Sequence, residues 1–143
     1  FHMDPEHNIL LQIRSDKTMT VFPTHDTETV PAEKSESFAR GGHRNLIWED
    51  RFIERGLPVH LKPGEAVHVP VKAPHFVRNG EGVSVSFSIT WRSRRSVAEG
   101  ELHSLNARLR AKGLPLVKIS RTPEKQWLAR GLFRLVNRLG WDA

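Results

Sequence analysis

Val83, Val85, Phe87, Ile89 and Trp91 alternate with Ser84, Ser86, Ser88 and Thr90. That period of two predicts a strand with one apolar and one hydroxyl-bearing face. Similar patterns occur upstream. Residues 8–14 read as a strand with a near-continuous apolar middle, Ile9, Leu10 and Leu11. Ser15-Asp16 supplies a two-residue turn and residues 17–22 return as a second strand ended by Pro23, which together predict a hairpin. Val59 and Leu61, then Val67, Val69 and Val71, mark further strands, with His60 and His68 at intervening positions. His68 is expected as a pocket-wall or core histidine. Between these blocks, Pro31 followed by residues 32–40 and the Gly41-Gly42 stop predicts one short helix. Residues 45–53 read as a connector laying Leu46, Ile47, Trp48 and Phe52 on the core.

Beyond residue 92 the period changes to that of a helix. Ser96-Val97-Ala98-Glu99 reads as a capping box, Ala98, Leu102, Leu105 and Leu109 follow at helical spacing, and Gly113 and Pro115 close the segment. A second helix is predicted from Thr122-Pro123 to Gly140, with a stripe of Leu128, Leu132, Leu135 and Leu139 widened by Trp127, Phe133 and Val136. So much apolar surface on one helix implies a partner, and a second copy of the chain is the simplest one.

Composition sharpens this division. The chain has 143 residues, enough for one modest core, and no cysteine, which excludes a disulfide framework and a thiolate metal site. Residues 1–91 carry 10 Lys/Arg against 12 Asp/Glu, whereas residues 92–143 carry 12 against 4. The basic excess is either the solvated face of two helices or a surface for nucleic acid or an acidic partner. No apolar run reaches membrane-span length and no basic-then-apolar leader opens the chain, so a soluble cytoplasmic protein is expected. The first residue, Phe1, directly precedes a candidate ligand, and an upstream segment is therefore expected.

The candidate chemistry lies at that start. His2 and Asp4 can share one face of an extended segment, and His75, after the Pro-Gly-Glu turn at residues 63–65 and the Val69-Pro70 segment, can bring a third donor. Two histidines and a carboxylate on one face of a metal leave the opposite face open, the arrangement of non-haem Fe(II) oxygenases. His25 and His43 read as loop histidines. The row of serines facing away from Val83 to Trp91 is open to two readings, a solvent face or the polar lining of a barrel.

The pattern His2-x-Asp4 with Asn8, Gln12 and Lys17, then Val69-Pro70 and His75, resembles the JmjC and cupin-like oxygenase family. The resemblance covers about residues 1–92 and is specific in 1–22 and 61–91. It implies a mainly β fold: a double-stranded β-helix (cupin or jelly-roll) core over residues 1–92, a helical or loop insert at about 23–58, and a C-terminal two-helix extension over 93–143. It implies Fe(II) held by His2, Asp4 and His75, and 2-oxoglutarate paired with Lys17, with Asn8 and Ser86 or Ser88 beside it. The implied activity is that of a 2-oxoglutarate-dependent dioxygenase hydroxylating a protein or peptide side chain, with demethylation or a small-molecule substrate left open. In the asparaginyl-hydroxylase branch of that family C-terminal helices dimerise, which points to a homodimer here. The alternative is a metal-binding cupin without oxygenase activity, acting as a regulatory or nucleic-acid-binding module through its basic helices.

Overall fold

The first two strands do not form the expected hairpin. β1 (His7–Arg14) and β2 (Lys17–Val21) follow one another across Ser15 and Asp16, yet each pairs elsewhere. β1 lies between β4 (Ala66–Val69) and β6 (Val85–Trp91), and β2 between β3 (Leu57–Leu61) and β5 (His75–Asn79). All four pairings are antiparallel, so the strands make two three-stranded sheets in the orders β4-β1-β6 and β3-β2-β5. The corner explains why. The β1–β6 register slips between Gln12 and Arg14, and Ser15 takes φ 58°, a left-handed conformation that turns the chain into the other sheet. The Gln12 side chain holds this corner by donating to the carbonyls of Arg14 and Ser15, each at 2.6 Å.

This computed structural model describes residues 1–141, in two units. The first comprises Phe1–Pro31 and Arg44–Arg92; the second comprises Ala32–His43 and the chain from Ser93. In the first unit, Leu10 of β1, Met19 of β2, Leu61 of β3 and Val69 of β4 bury together with Ala73. The inner faces of the two sheets therefore meet. Leu10, Met19, Leu61 and Val69 each contribute roughly 1.5–3 kcal/mol when fully removed from water. Phe52, in a short 3₁₀ helix at Asp50–Arg55, is also buried, whereas Ile47 is 84% exposed and does not join the core as expected.

The register of β6 decides between the two readings of its serines. Ser86 pairs with Gln12, Ser88 with Leu10 and Thr90 with Asn8, all on the inner face of β1. The hydroxyls thus face between the sheets. Phe87 pairs with Leu11 and Ile89 with Ile9 on the outer face, where Ile9, Val85, Phe87 and Ile89 are exposed. Alternation located the strand correctly but could not tell which face is inward. Polar partners on β1 and β2 claim the hydroxyl side.

In the second unit, α1 (Ala32–Ala39) presents the buried Glu36 to Arg110 of α2 (Arg94–Ala111) in a two-pronged ion pair, at 2.7 and 3.0 Å. The α2 cap lies three residues earlier than the sequence suggests. Ser93 is the cap, and Ser96 completes the box with reciprocal bonds of 2.9 and 3.1 Å. Glu99 instead lies inside the helix, 3.7 Å from His103. The last helix is also shorter than expected. A 3₁₀ turn at Pro123–Lys125 and a break at Gln126 precede α3 (Trp127–Arg138). α3 packs on Leu105 and Leu109 through Val136 and Phe133, leaving Leu128, Leu132, Leu135 and Leu139 exposed. Among the described residues no helix is long and apolar enough to cross a membrane.

Candidate metal centre

The segment before β1 is the middle of a small backbone ribbon. His2 and His75 exchange two backbone hydrogen bonds, of 3.1 and 2.9 Å. On the other side Met3 N–H donates to the carbonyl of Arg44, and Leu46 N–H to that of Phe1. The His2–His75 pairing puts their rings side by side, with centroids 4.3 Å apart. Asp4, two residues on, falls on the same face. Its Oδ2 stands 3.7 Å from His2 Nε2 and 3.5 Å from His75 Nε2. The donor atoms of His2, Asp4 and His75 all lie within 4.8 Å of one another, and this group could hold a metal ion.

Electrostatics prepare two of the three, Asp4 and His75, for that task. Asp4 is held down to about 2, first by the His2 imidazole, which at 3.7 Å acts as a close electrostatic neighbour rather than a formed hydrogen bond. Partial burial opposes this, while His75 and Arg44 reinforce it. Burial pushes the His75 imidazole below its ordinary value. Its Nδ1 lies 2.9 Å from the carbonyl of Ala73, which can only accept, so Nδ1 carries the proton and the Nε2 lone pair faces Asp4. A carboxylate and a neutral imidazole are the ligand forms a divalent ion requires. Two nitrogens and one oxygen suit a first-row transition ion, so the donor set fits iron.

Further along the inter-sheet space lies a second polar group. Lys17 is 9% exposed, and its amine donates to Ser86 Oγ. Ser86 in turn donates to Gln12 Oε1 at 2.7 Å. Lys17 meets no carboxylate among the described residues, and a buried ammonium without one is costly unless an anion joins it. Asn8 is buried on the same inner face, with its Oδ1 unpartnered. Ser88 lies between Ser86 and Thr90 on that face and is exposed. In β2, Lys17 sits four residues from Val21, the partner of His75, so the lysine backbone is about 13 Å along the strand from the histidine's level. A lysine side chain and a short dicarboxylate can divide that span.

His68 is not a pocket-wall or core residue. It is exposed on the outer face of β4, with Nε2 3.2 Å from His7 Nδ1 and its ring stacked on Trp91. His60 is exposed on β3, and His25 and His43 lie in loops. Two residues near the candidate chemistry carried no assigned role from sequence. Gln12 is fully buried as the hub of the corner, which its place on Leu10's face could have signalled. Arg44 donates to Asp4 Oδ1 at 2.8 Å, a contact without any local sequence signal.

No family model matches the chain. Over 100 residues it is 28% identical to Jumonji C domain-containing protein 5 of Drosophila melanogaster, covering 63% of this chain and 24% of that protein. The chain thus spans about a quarter of that relative's length. Among solved structures, the X-ray structure of E. coli ycfD is similar at a TM-score of 0.43 and 18% identity, covering 95% of this chain and 36% of that one.

Proposed function

We propose that the chain carries the metal site of an Fe(II)- and 2-oxoglutarate-dependent oxygenase, within sheets belonging to a double-stranded β-helix. One observation carries the reading. His2, Asp4 and His75 converge on one point, and the same inter-sheet space holds a buried lysine without an acidic partner. The 28% identity to a Jumonji C domain-containing protein supports it. When bound, iron and 2-oxoglutarate would, with dioxygen as oxidant, supply the chemistry in which one oxygen atom goes to succinate, CO2 is released and the other oxygen atom hydroxylates a C–H bond.

The chain's own residues bind and orient. His2, Asp4 and His75 hold the metal from one side and leave its other side open. Lys17 pairs with the distal carboxylate of 2-oxoglutarate, and Ser86 steers the lysine amine through its hydroxyl. Asn8 offers its amide N–H to the bound acid, and Ser88 lines the same face. The substrate class is a protein or peptide side chain. The test is anaerobic equilibrium dialysis with Fe(II) and labelled 2-oxoglutarate. One equivalent of each should bind, with 2-oxoglutarate retained only when iron is present and Lys17 intact. Retention of 2-oxoglutarate without iron would overturn the assignment.

The uncovered stripe Leu128, Leu132, Leu135 and Leu139 supports a homodimer through α3. Leu132→Arg with Leu135→Arg should give a monomer that still binds metal. A monomeric parent chain in light scattering would refute the dimer. The excess of Lys/Arg over Asp/Glu in residues 92–143 favours a second reading, a metal-binding regulatory module that contacts nucleic acid. Salt-sensitive DNA binding together with stoichiometric metal and no 2-oxoglutarate consumption would select it.

A further inference from the structure

The two oxygens of Asp4 have separate surroundings. Oδ2 faces the Nε2 atoms of His2 and His75 at 3.7 and 3.5 Å, whereas Oδ1 accepts from Arg44 Nη1 at 2.8 Å. Arg44 is placed there by backbone pairing. Its carbonyl accepts from Met3 N–H at 3.2 Å, and residue 45 bridges His2, so residues 44–46 run antiparallel to residues 1–3. The Arg44 side chain is 54% exposed, against 16% for Asp4. It is the most exposed of the three groups around the carboxylate, against 26% for His2 and 4% for His75.

We propose that Arg44 is a positioning residue that keeps Asp4 a one-oxygen ligand. By occupying Oδ1, the guanidinium prevents the carboxylate from rotating to present both oxygens to the metal. This matters for the site's capacity. A metal held by three donor atoms keeps three positions for exogenous ligands, and a two-oxygen Asp4 would take one of them. A chelating keto acid would then fill what remained and leave no position for a further ligand. The arrangement has a cost, because a cation beside the metal repels it. Arg44 therefore trades metal affinity for open positions. The inference rests on the metal site proposed above.

Mn(II) is the probe, since water-proton relaxation per bound ion reports how many exchangeable waters it carries. Wild type, Arg44→Met, Arg44→Ser and Arg44→Lys are compared as the full chain. Because the ribbon is held by Arg44's backbone, both truncations should retain the parent circular dichroism. In Arg44→Met and Arg44→Ser the relaxation enhancement per bound Mn(II) should fall by about one third, as about three open positions become two. The same variants should bind Mn(II) more tightly, on the order of tenfold, because a like charge is removed and an oxygen ligand added. Arg44→Lys, which still offers a cationic donor to Oδ1, should return both readouts toward wild type. General damage to the site would weaken Mn(II) binding, the opposite sign. Unchanged relaxation or weaker binding in the truncations would overturn the role of Arg44. Absence of Mn(II) binding by wild type would instead overturn the metal site itself.

Discussion

The first unit holds two histidine pairs, and only one has the makings of a metal site. His2 and His75 lie side by side on paired backbones, with ring planes 58° apart and both Nε2 atoms directed at Asp4 Oδ2. His7 and His68 sit on the outer face of β1 and β4, with nearly parallel rings packed on Trp91 and nitrogens 3.2 Å apart. That second pair satisfies itself, since one ring's N–H meets the other's lone pair. No carboxylate completes it into a metal-binding group among the described residues. Proximity of imidazoles is therefore not enough. A site needs lone pairs left unspent, a negative charge to offset the ion, and backbones that fix the angle between them.

The largest expected effect breaks the first pair. His75→Ala or Asp4→Ala should lower Fe(II) affinity by about a hundredfold or more in anaerobic calorimetry, given that loss of mere supporting partners already costs 10–100-fold. Because neither side chain belongs to the apolar cluster, the fold should persist. Equal iron binding in both variants would remove the distinction between the pairs.

Next comes the polar face behind the site. Lys17→Ala should weaken 2-oxoglutarate by roughly 10–100-fold, the worth of one charge-assisted contact, while Fe(II) binding stays within about twofold. Fluorescence or calorimetric titration of the iron-loaded protein measures both, and an unchanged 2-oxoglutarate affinity would take Lys17 out of the site.

A smaller effect is the acid response of the metal-free protein. His75 has a folded value below the ordinary 6.5, so the unfolded chain takes up its proton first as pH falls. Stability should decline from about pH 6.5 downward until the folded imidazole also protonates. Asp4, lowered from 3.8 to about 2, adds a second decline across that interval. Denaturant melts against pH should show the first decline flattened in His75→Ala and retained in His68→Ala. Identical profiles in the two would contradict the burial argument.

The smallest effect is on the outer pair. His7→Ala with His68→Ala should leave iron stoichiometry unchanged and shift stability by no more than about 1 kcal/mol, since His68 is exposed and His7 only half-buried. Iron loss in this double variant would show that the outer pair contributes to metal binding after all.

What the sequence could reveal follows the same contrast. His2, Asp4 and His75 were legible because the first two are close in the chain and the third follows a recognisable turn-and-strand segment, and the structure brings these three together. The strand β6 was legible from its alternation, and β1 from its near-continuous apolar middle. The hairpin was misread because the turn chemistry of Ser15-Asp16 is local, whereas strand pairing is decided by competing partners far along the chain. The inward face of β6 was ambiguous for a related reason. Alternation marks two faces, but Lys17 and Gln12, brought by other strands, determine which one is inside. Arg44 was invisible because its contact with Asp4 spans forty residues and depends on the backbone ribbon rather than on any motif.

The proposed oxygenase site unites the converging trio and the buried lysine. It is tested most directly by loading the protein with Fe(II) and 2-oxoglutarate without oxygen, admitting oxygen, and measuring succinate. Succinate release should require both iron and oxygen and be abolished in Asp4→Ala, but preserved in His7→Ala with His68→Ala. Succinate at the same rate without oxygen or in Asp4→Ala, or none from iron-loaded wild type after oxygen, would contradict it.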